Sequence, residues 1–149
     1  MLNEYTLREQ AMKYPTEKDV LVLSVQENLS RTYNLDERLV EFAGLIIDIV
    51  EQLPKSRAGN HIAGQLLRSG TSPAANYAEA CAAESRRDFL HKMGICLKEL
   101  RESHVWLRIC RKKEMLTAKK LQSIPQECEE LVRIFNRSIE TARENGRKD

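Results

Sequence analysis

Three histidines and four cysteines have the widest chemical range in this sequence, and their spacing decides what they can do. Cys81, Cys96, Cys110 and Cys128 contain no C-x-x-C, and no H-x-x-x-H joins His61, His91 and His104. A zinc site takes closely paired ligands, so no metal ligand is expected. The cysteines fall in helix-like segments and read as small buried hydrophobes, which suits a reducing, cytoplasmic setting. His91 and His104 are thirteen positions apart, roughly 220° around a helix of 3.6 residues per turn, and so share no face. Gly59, Gly64 and Gly70 precede no Lys-Ser/Thr in the frame of a phosphate-binding loop. No catalytic residue and no cofactor are expected, and the chain reads as a non-enzyme.

Charge is the more informative chemistry. The formal net charge is only +2, but it is unevenly spread. Residues 1–53 hold 5 basic and 10 acidic side chains, whereas residues 54–82 hold 3 and 1, and residues 83–113 hold 9 and 4. Such a basic centre is a footprint for phosphates, or a means for one part of a chain or oligomer to dock on another. Those that could engage phosphates are Arg57, Arg68, Arg86, Arg87, Lys98, Arg101, Arg108, Arg111, Lys112 and Lys113. Of these, Arg68, Arg86, Arg87, Arg108, Arg111, Lys112 and Lys113 are the candidate nucleic-acid contacts. A second polar set is read as structural. Ser72, Asn76 and Glu79 step by four and three along one helix face. In a hairpin turning near Ala83-Glu84, Glu79 should meet Lys92, and Asn76 should come near Lys92–Met93. Ser72, Asn76, Glu79, Asp88 and Lys92 then form a network fixing the hairpin's register.

The elements that position these groups are helical. Six Gly and four Pro in 149 residues make about 7% of the chain, against roughly 12% on average, which argues against a turn-rich β fold. With 3 Phe, 1 Trp and 4 Tyr, the core must be mostly aliphatic. Leu39, Phe42, Ala43, Ile46, Ile49, Val50 and Leu53 recur at helical steps and stop at Pro54. Leu45 and Ile47 fall off that stripe, as in a helix with a partner beyond its own bundle. Ile62, Leu66, Leu67, Ala74, Tyr77, Ala78 and Cys81 mark a second segment. It is either one helix kinked at Pro73 or two helices with Ser72 as a cap; the stripe keeps its phase from Leu66 through Gly70 to Ala74, which favours one. Ser85 and Asp88 form a capping-box-like start for a third helix ending in Arg111, Lys112 and Lys113. A fourth begins between Thr117 and Ser123 and stops at Asn145-Gly146.

The expected fold is an all-α, antiparallel up-down four-helix bundle over residues 34–145. A short N-terminal extension precedes it at 1–33, with 17–31 read as a short helix, and a disordered tail follows at 146–149. The longest apolar runs, Leu45–Val50 and Val20–Val25, are far short of the roughly 18 residues of a membrane span. Met1-Leu2-Asn3-Glu4 has no signal-peptide character.

The run Gln65-Leu66-Leu67-Arg68-Ser69-Gly70-Thr71-Ser72-Pro73-Ala74-Ala75-Asn76-Tyr77-Ala78-Glu79-Ala80 continues with Ala83-Glu84-Ser85-Arg86-Arg87-Asp88-Phe89-Leu90-His91-Lys92-Met93 and Lys98-Glu99-Leu100-Arg101-Glu102. Together these resemble the four-helix bundle proteins encoded in intervening sequences of 23S ribosomal RNA genes, over roughly residues 36–143. The resemblance implies an antiparallel bundle protomer and a ring-shaped homopentamer. Related accessory proteins of diversity-generating retroelements share the architecture, bind nucleic acid and partner a reverse transcriptase. The expected function is therefore a nucleic-acid-binding oligomeric accessory protein, with RNA or DNA and a reverse transcriptase as implied partners. A structural or protein-interaction scaffold is the alternative.

Overall fold

The computed structural model describes residues 34–146; the extension over 1–33, its helix at 17–31, and residues 147–149 lie outside the described residues. Four helices follow in order, α1 (Leu35–Gln52), α2 (Arg57–Cys81), α3 (Arg86–Lys112) and α4 (Ile124–Asn145), with no strand among the described residues. Their packing is sequential, as in an up-down bundle. The pairing of α2 with α3 shows the antiparallel sense: Ser69 meets Ser103, Pro73 meets Cys96 and Glu79 meets Lys92, so each step forward on α2 is a step back on α3. The core is aliphatic with two central rings. Leu39, Phe42, Ile46, Leu66, Leu100, Leu107, Leu131 and Phe135 are all buried. Tyr77 packs edge-on against Phe135 at a centroid distance of 5.9 Å, a favoured geometry for aromatic pairs.

α2 is one continuous helix through Pro73. Proline cannot donate to the carbonyl of Ser69, four residues earlier, and would ordinarily break the ladder there. Polar side chains gather around the interruption. Thr71 donates to the Leu67 carbonyl at 2.7 Å, and the Asn76 amide donates to the Ser72 carbonyl and hydroxyl at 3.0 Å each. The Pro73 carbonyl accepts from the Cys96 thiol at 3.5 Å. Beside it, Gly70 is buried against α1, where a Cβ would stand only 2.6 Å from Ile46 Cγ1. That contact holds α1 to α2.

α1 reaches α4 through a residue of a different kind. Arg38 is 7% exposed, and its guanidinium donates at 2.9 Å to both oxygens of Glu127 and to Glu130. The fork geometry of arginine matches a carboxylate pair, and enclosing the charge without partners would be strongly unfavourable. The hydrogen bonds that Arg38 donates to Glu127 and Glu130, with the charge of the two carboxylates, outweigh burial and raise its pKa further.

Two helix ends determine where cations sit. Ser85 caps α3, its hydroxyl accepting from the Asp88 N–H at 3.1 Å, as its capping-box spacing predicts. At the other end, Met115 N–H donates to the Cys110 carbonyl at 3.0 Å and Glu114 N–H to the Arg111 carbonyl at 3.2 Å. This is the Schellman pattern, with Glu114 in the left-handed region at φ 49° where glycine is usual. It stops α3 immediately after its last cations. α4 stops at Asn145-Gly146 as its sequence predicts, with Gly146 as the C-cap at φ −77°. Its lack of a side chain makes room for the Arg86 side chain.

The predicted hairpin network is not a single network. Ser72 bonds Asn76 within α2. Lys92 pairs with Glu79 across the hairpin, but Glu79 is 59% exposed. Asp88 belongs to the α3 start through its backbone N–H, and the Asn76 amide is spent on Ser72 rather than on α3. The buried side-chain to side-chain hydrogen bond between α2 and α3 is Ser103 donating to Ser69 at 2.9 Å, with both residues wholly enclosed. A hydroxyl deprived of its partner there has no water to turn to. Double-mutant cycles read from urea melts should therefore give about 1 kcal/mol of coupling for Ser69 and Ser103. Coupling for Glu79 and Lys92 should be near zero, because solvent screens that pair.

Candidate nucleic-acid interface

The sequence-predicted cations separate into three groups in the fold. Arg68, on α2, donates to Glu99 at 2.9 Å and pairs with Glu102. Its hydrogen bond to Glu102 raises its pKa and holds the Glu102 carboxyl below the usual carboxylate range. Two carboxylates thus surround one guanidinium, and Arg68 offers little net charge to a phosphate. Arg86 and Arg87 stand in the first turn of α3. Arg108, Arg111, Lys112 and Lys113 stand at the other end, about 37 Å away at 1.5 Å per residue.

The α3 C-terminal group is the most concentrated. All four side chains are exposed, and among the described residues none of them forms an ion pair. Lysine and arginine are at home here, against the negative end of the helix dipole. Val105, Arg108, Ile109, Arg111 and Lys112 line a groove of about 500 Å3, with Val105 half exposed. An apolar floor edged with cations can hold the sugar face of a nucleic acid while the rim reaches phosphates. Trp106 is engaged within the bundle. Its ring lies edge-on to His61 at 5.9 Å, and its N–H donates to Glu102 at 3.3 Å.

Helical spacing also joins cations that the sequence reading left out of its candidate set. Arg87, His91, Gly94, Lys98, Arg101, Val105, Arg108 and Lys112 follow one another by four and three residues, so they run along a single outer ridge of α3. No acidic side chain lies on that ridge. Lys98 and Arg101 belong to it; Arg101 donates to Asn136 of α4 at 3.1 Å. The signal was the heptad spacing itself, which becomes meaningful once the buried face of α3 is known.

Three of the four cysteines, Cys96, Cys110 and Cys128, are packed inside the bundle, away from these cations. Burial pushes the Cys96 and Cys128 thiols up to about 12 and raises Cys110. The Cys128 thiol donates to the Leu100 carbonyl at 3.3 Å, which makes it a packing and hydrogen-bonding group. Cys81 is exposed. Among the described residues, no cluster of three His, Cys, Asp or Glu could hold a metal.

Residues 32–137 match the family described as 23S rRNA-intervening sequence protein. This chain belongs to that family. It is also similar to a crystal structure from Bacteroides thetaiotaomicron, described as a protein with unknown function from the S23 ribosomal protein family. The two are 33% identical with a TM-score of 0.66, over 70% of this chain and 97% of that one. No curated protein matches. In this 23S rRNA-intervening sequence protein, α2, α3 and most of α4 lie inside the matched segment. The α3 cations therefore belong to the family domain and not to an appendage. No described helix is long and apolar enough to cross a membrane.

Proposed function

We propose that this protein is a non-enzymatic, nucleic-acid-binding accessory protein that works as a homo-oligomer in the cytoplasm. The observation that carries the reading is the group Arg108, Arg111, Lys112 and Lys113. Four exposed cations within six residues, none in an ion pair among the described residues, border an apolar groove. A cation already held by carboxylates, such as Arg68, has little charge left to neutralise a phosphate; exposed ones outside ion pairs can do so and release the cations condensed on the nucleic acid, a large source of affinity. Neither Arg68 nor Arg86, which lies against the end of α4, belongs to this surface. RNA and DNA both present the phosphates it would contact, and a reverse transcriptase is the protein partner suggested by the resemblance to retroelement accessory proteins.

Assembly is the second part of the reading. Val40, Leu45, Ile47, Leu67 and Val105 are 40–52% exposed, and α1 and α2 carry four of them. Apolar side chains grouped on two adjacent helices favour coverage by another chain. The ring-shaped homopentamer implied by the family resemblance would cover apolar side chains of α1 and α2 and repeat the α3 cations, with Val105 among them, around one particle. A scaffold without nucleic-acid binding would use the same apolar faces.

Binding to a fluorescent 30-nucleotide RNA and to DNA of the same length separates these readings. Binding at 50 mM NaCl should weaken steeply by 200 mM, log K falling linearly with log salt. Absence of binding to either at 50 mM would overturn the nucleic-acid reading and leave the scaffold.

A further inference from the structure

We infer that the outer ridge of α1 in one copy docks on the N-terminal half of the α3 ridge in a second copy, acid against base around two facing glycines. The inference rests on the assembly half of the reading above and is independent of nucleic-acid binding.

The two ridges have one pattern with opposite charge. Along α1 run Glu37, Glu41, Gly44, Asp48 and Glu51, all exposed. Along α3 run Arg87, His91, Gly94, Lys98 and Arg101. Taken from its glycine, each set lies at −7, −3, 0, +4 and +7, the spacing of one helical seam. Where α1 has a carboxylate, α3 has a cation at three of four places and an imidazole at the fourth. The flanks repeat too. Val40 and Ile47 stand four before and three after Gly44, as Leu90 and Leu97 do from Gly94.

The glycines give the second argument. A mid-helix glycine weakens a helix relative to alanine, and a close approach by a second helix is one thing that offsets the loss. Gly70 has one within the protomer, its contact with Ile46. Around a Cβ at Gly44 or Gly94 there is no atom within 4 Å. Neither needs its bareness for anything in its own chain. Two bare backbones at the centres of complementary ridges allow two helices to approach closely while the longer charged side chains meet on either side.

Pairing within one chain is excluded by the bundle. α1 touches α2 through Ile46 and α4 through Arg38, whereas α3 stands across the core between α2 and α4. The ridges face away from one another, so each copy presents one to each neighbour. Different patches on the two sides make a head-to-tail interface, which closes into a ring when the rotation permits. Two α1 ridges brought together would set carboxylate against carboxylate. The interface ends near Arg101, leaving Arg108, Arg111, Lys112 and Lys113 uncovered.

The test is charge reversal on the full chain, with mass measured by light scattering at 50 µM. Glu41→Lys/Asp48→Lys/Glu51→Lys and Arg87→Glu/Lys98→Glu/Arg101→Glu should each reduce the assembly to the mass of one chain. A chain carrying both sets should recover it. Every substituted side chain is exposed, so helical circular dichroism should be unchanged. The neutral set Glu41→Gln/Asp48→Asn/Glu51→Gln provides a milder reading and should weaken association at least 10-fold. Single reversals that keep the wild-type mass, or folded single reversals not rescued by the combination, would overturn this interface while assembly itself stands. A wild-type chain that is monomeric at 50 µM would overturn assembly as well.

Discussion

Gly70→Val should destabilise the bundle by about 3 kcal/mol, at the upper end of overpacking costs. Ile46 is wholly buried, and its branched carbons would lie 2.6–3.0 Å from the new Cβ. The strain falls on a branch point, which cannot swing aside as the tip of a long side chain would. Separating α1 from α2 is the only relief, and it would expose Ile46 and weaken the Arg38 contacts with α4. The same chemistry has the opposite sign at Gly64, an exposed position of α2 with no atom within 4 Å. Gly64→Ala should stabilise by roughly 0.5–1 kcal/mol, the ordinary helix preference for alanine. Urea midpoints of the two variants against wild type give both numbers. A Gly70→Val protein as stable as wild type would mean that α1 is not held where Ile46 places it.

Much of this architecture was legible because it is local. The α1 stripe ends at Pro54, and Ser85 caps α3 through Asp88, because apolar spacing and capping depend on neighbours in the chain. The continuous α2 followed from the phase of its stripe. What could not be read depends on partners far away in sequence. Arg38 carries no sequence signal of burial, which exists only because Glu127 and Glu130 come to it from α4. Ser69 and Ser103 carry no sequence signal of being the enclosed pair. The predicted Glu79–Lys92 contact does form, yet on the surface, where it cannot hold register. Among the candidate site residues, the charge of Arg68 was visible while its two carboxylate partners on α3 were not. The grouping of Arg108 to Lys113 was plain from adjacency; the longer ridge through Lys98 and Arg101 required knowing which face of α3 is inside.

The largest functional effect should follow from removing the α3 C-terminal charges. Arg108→Gln/Arg111→Gln/Lys112→Gln/Lys113→Gln replaces four exposed cations with neutral groups of similar length. None of the four contributes to the buried core, so the bundle should keep its helicity and its melting point within a few degrees. Neutralising four phosphate contacts removes about 0.9 from the salt slope for each, on duplex DNA. The slope of log K against log salt should therefore fall in magnitude by about 3 to 4. Arg133→Gln/Arg137→Gln, on the exposed side of α4, removes cations outside the α3 group, Arg133 being paired with Glu129 at 3.6 Å, and should leave the slope unchanged.

The most direct measurement is that slope, taken on duplex DNA from 50 to 200 mM NaCl for wild type, the α3 variant and the α4 control. A loss of about 3 to 4 confined to the α3 variant is the result expected if those cations contact phosphates. An equal slope for all three proteins, or a loss shared by the α4 control, would contradict it.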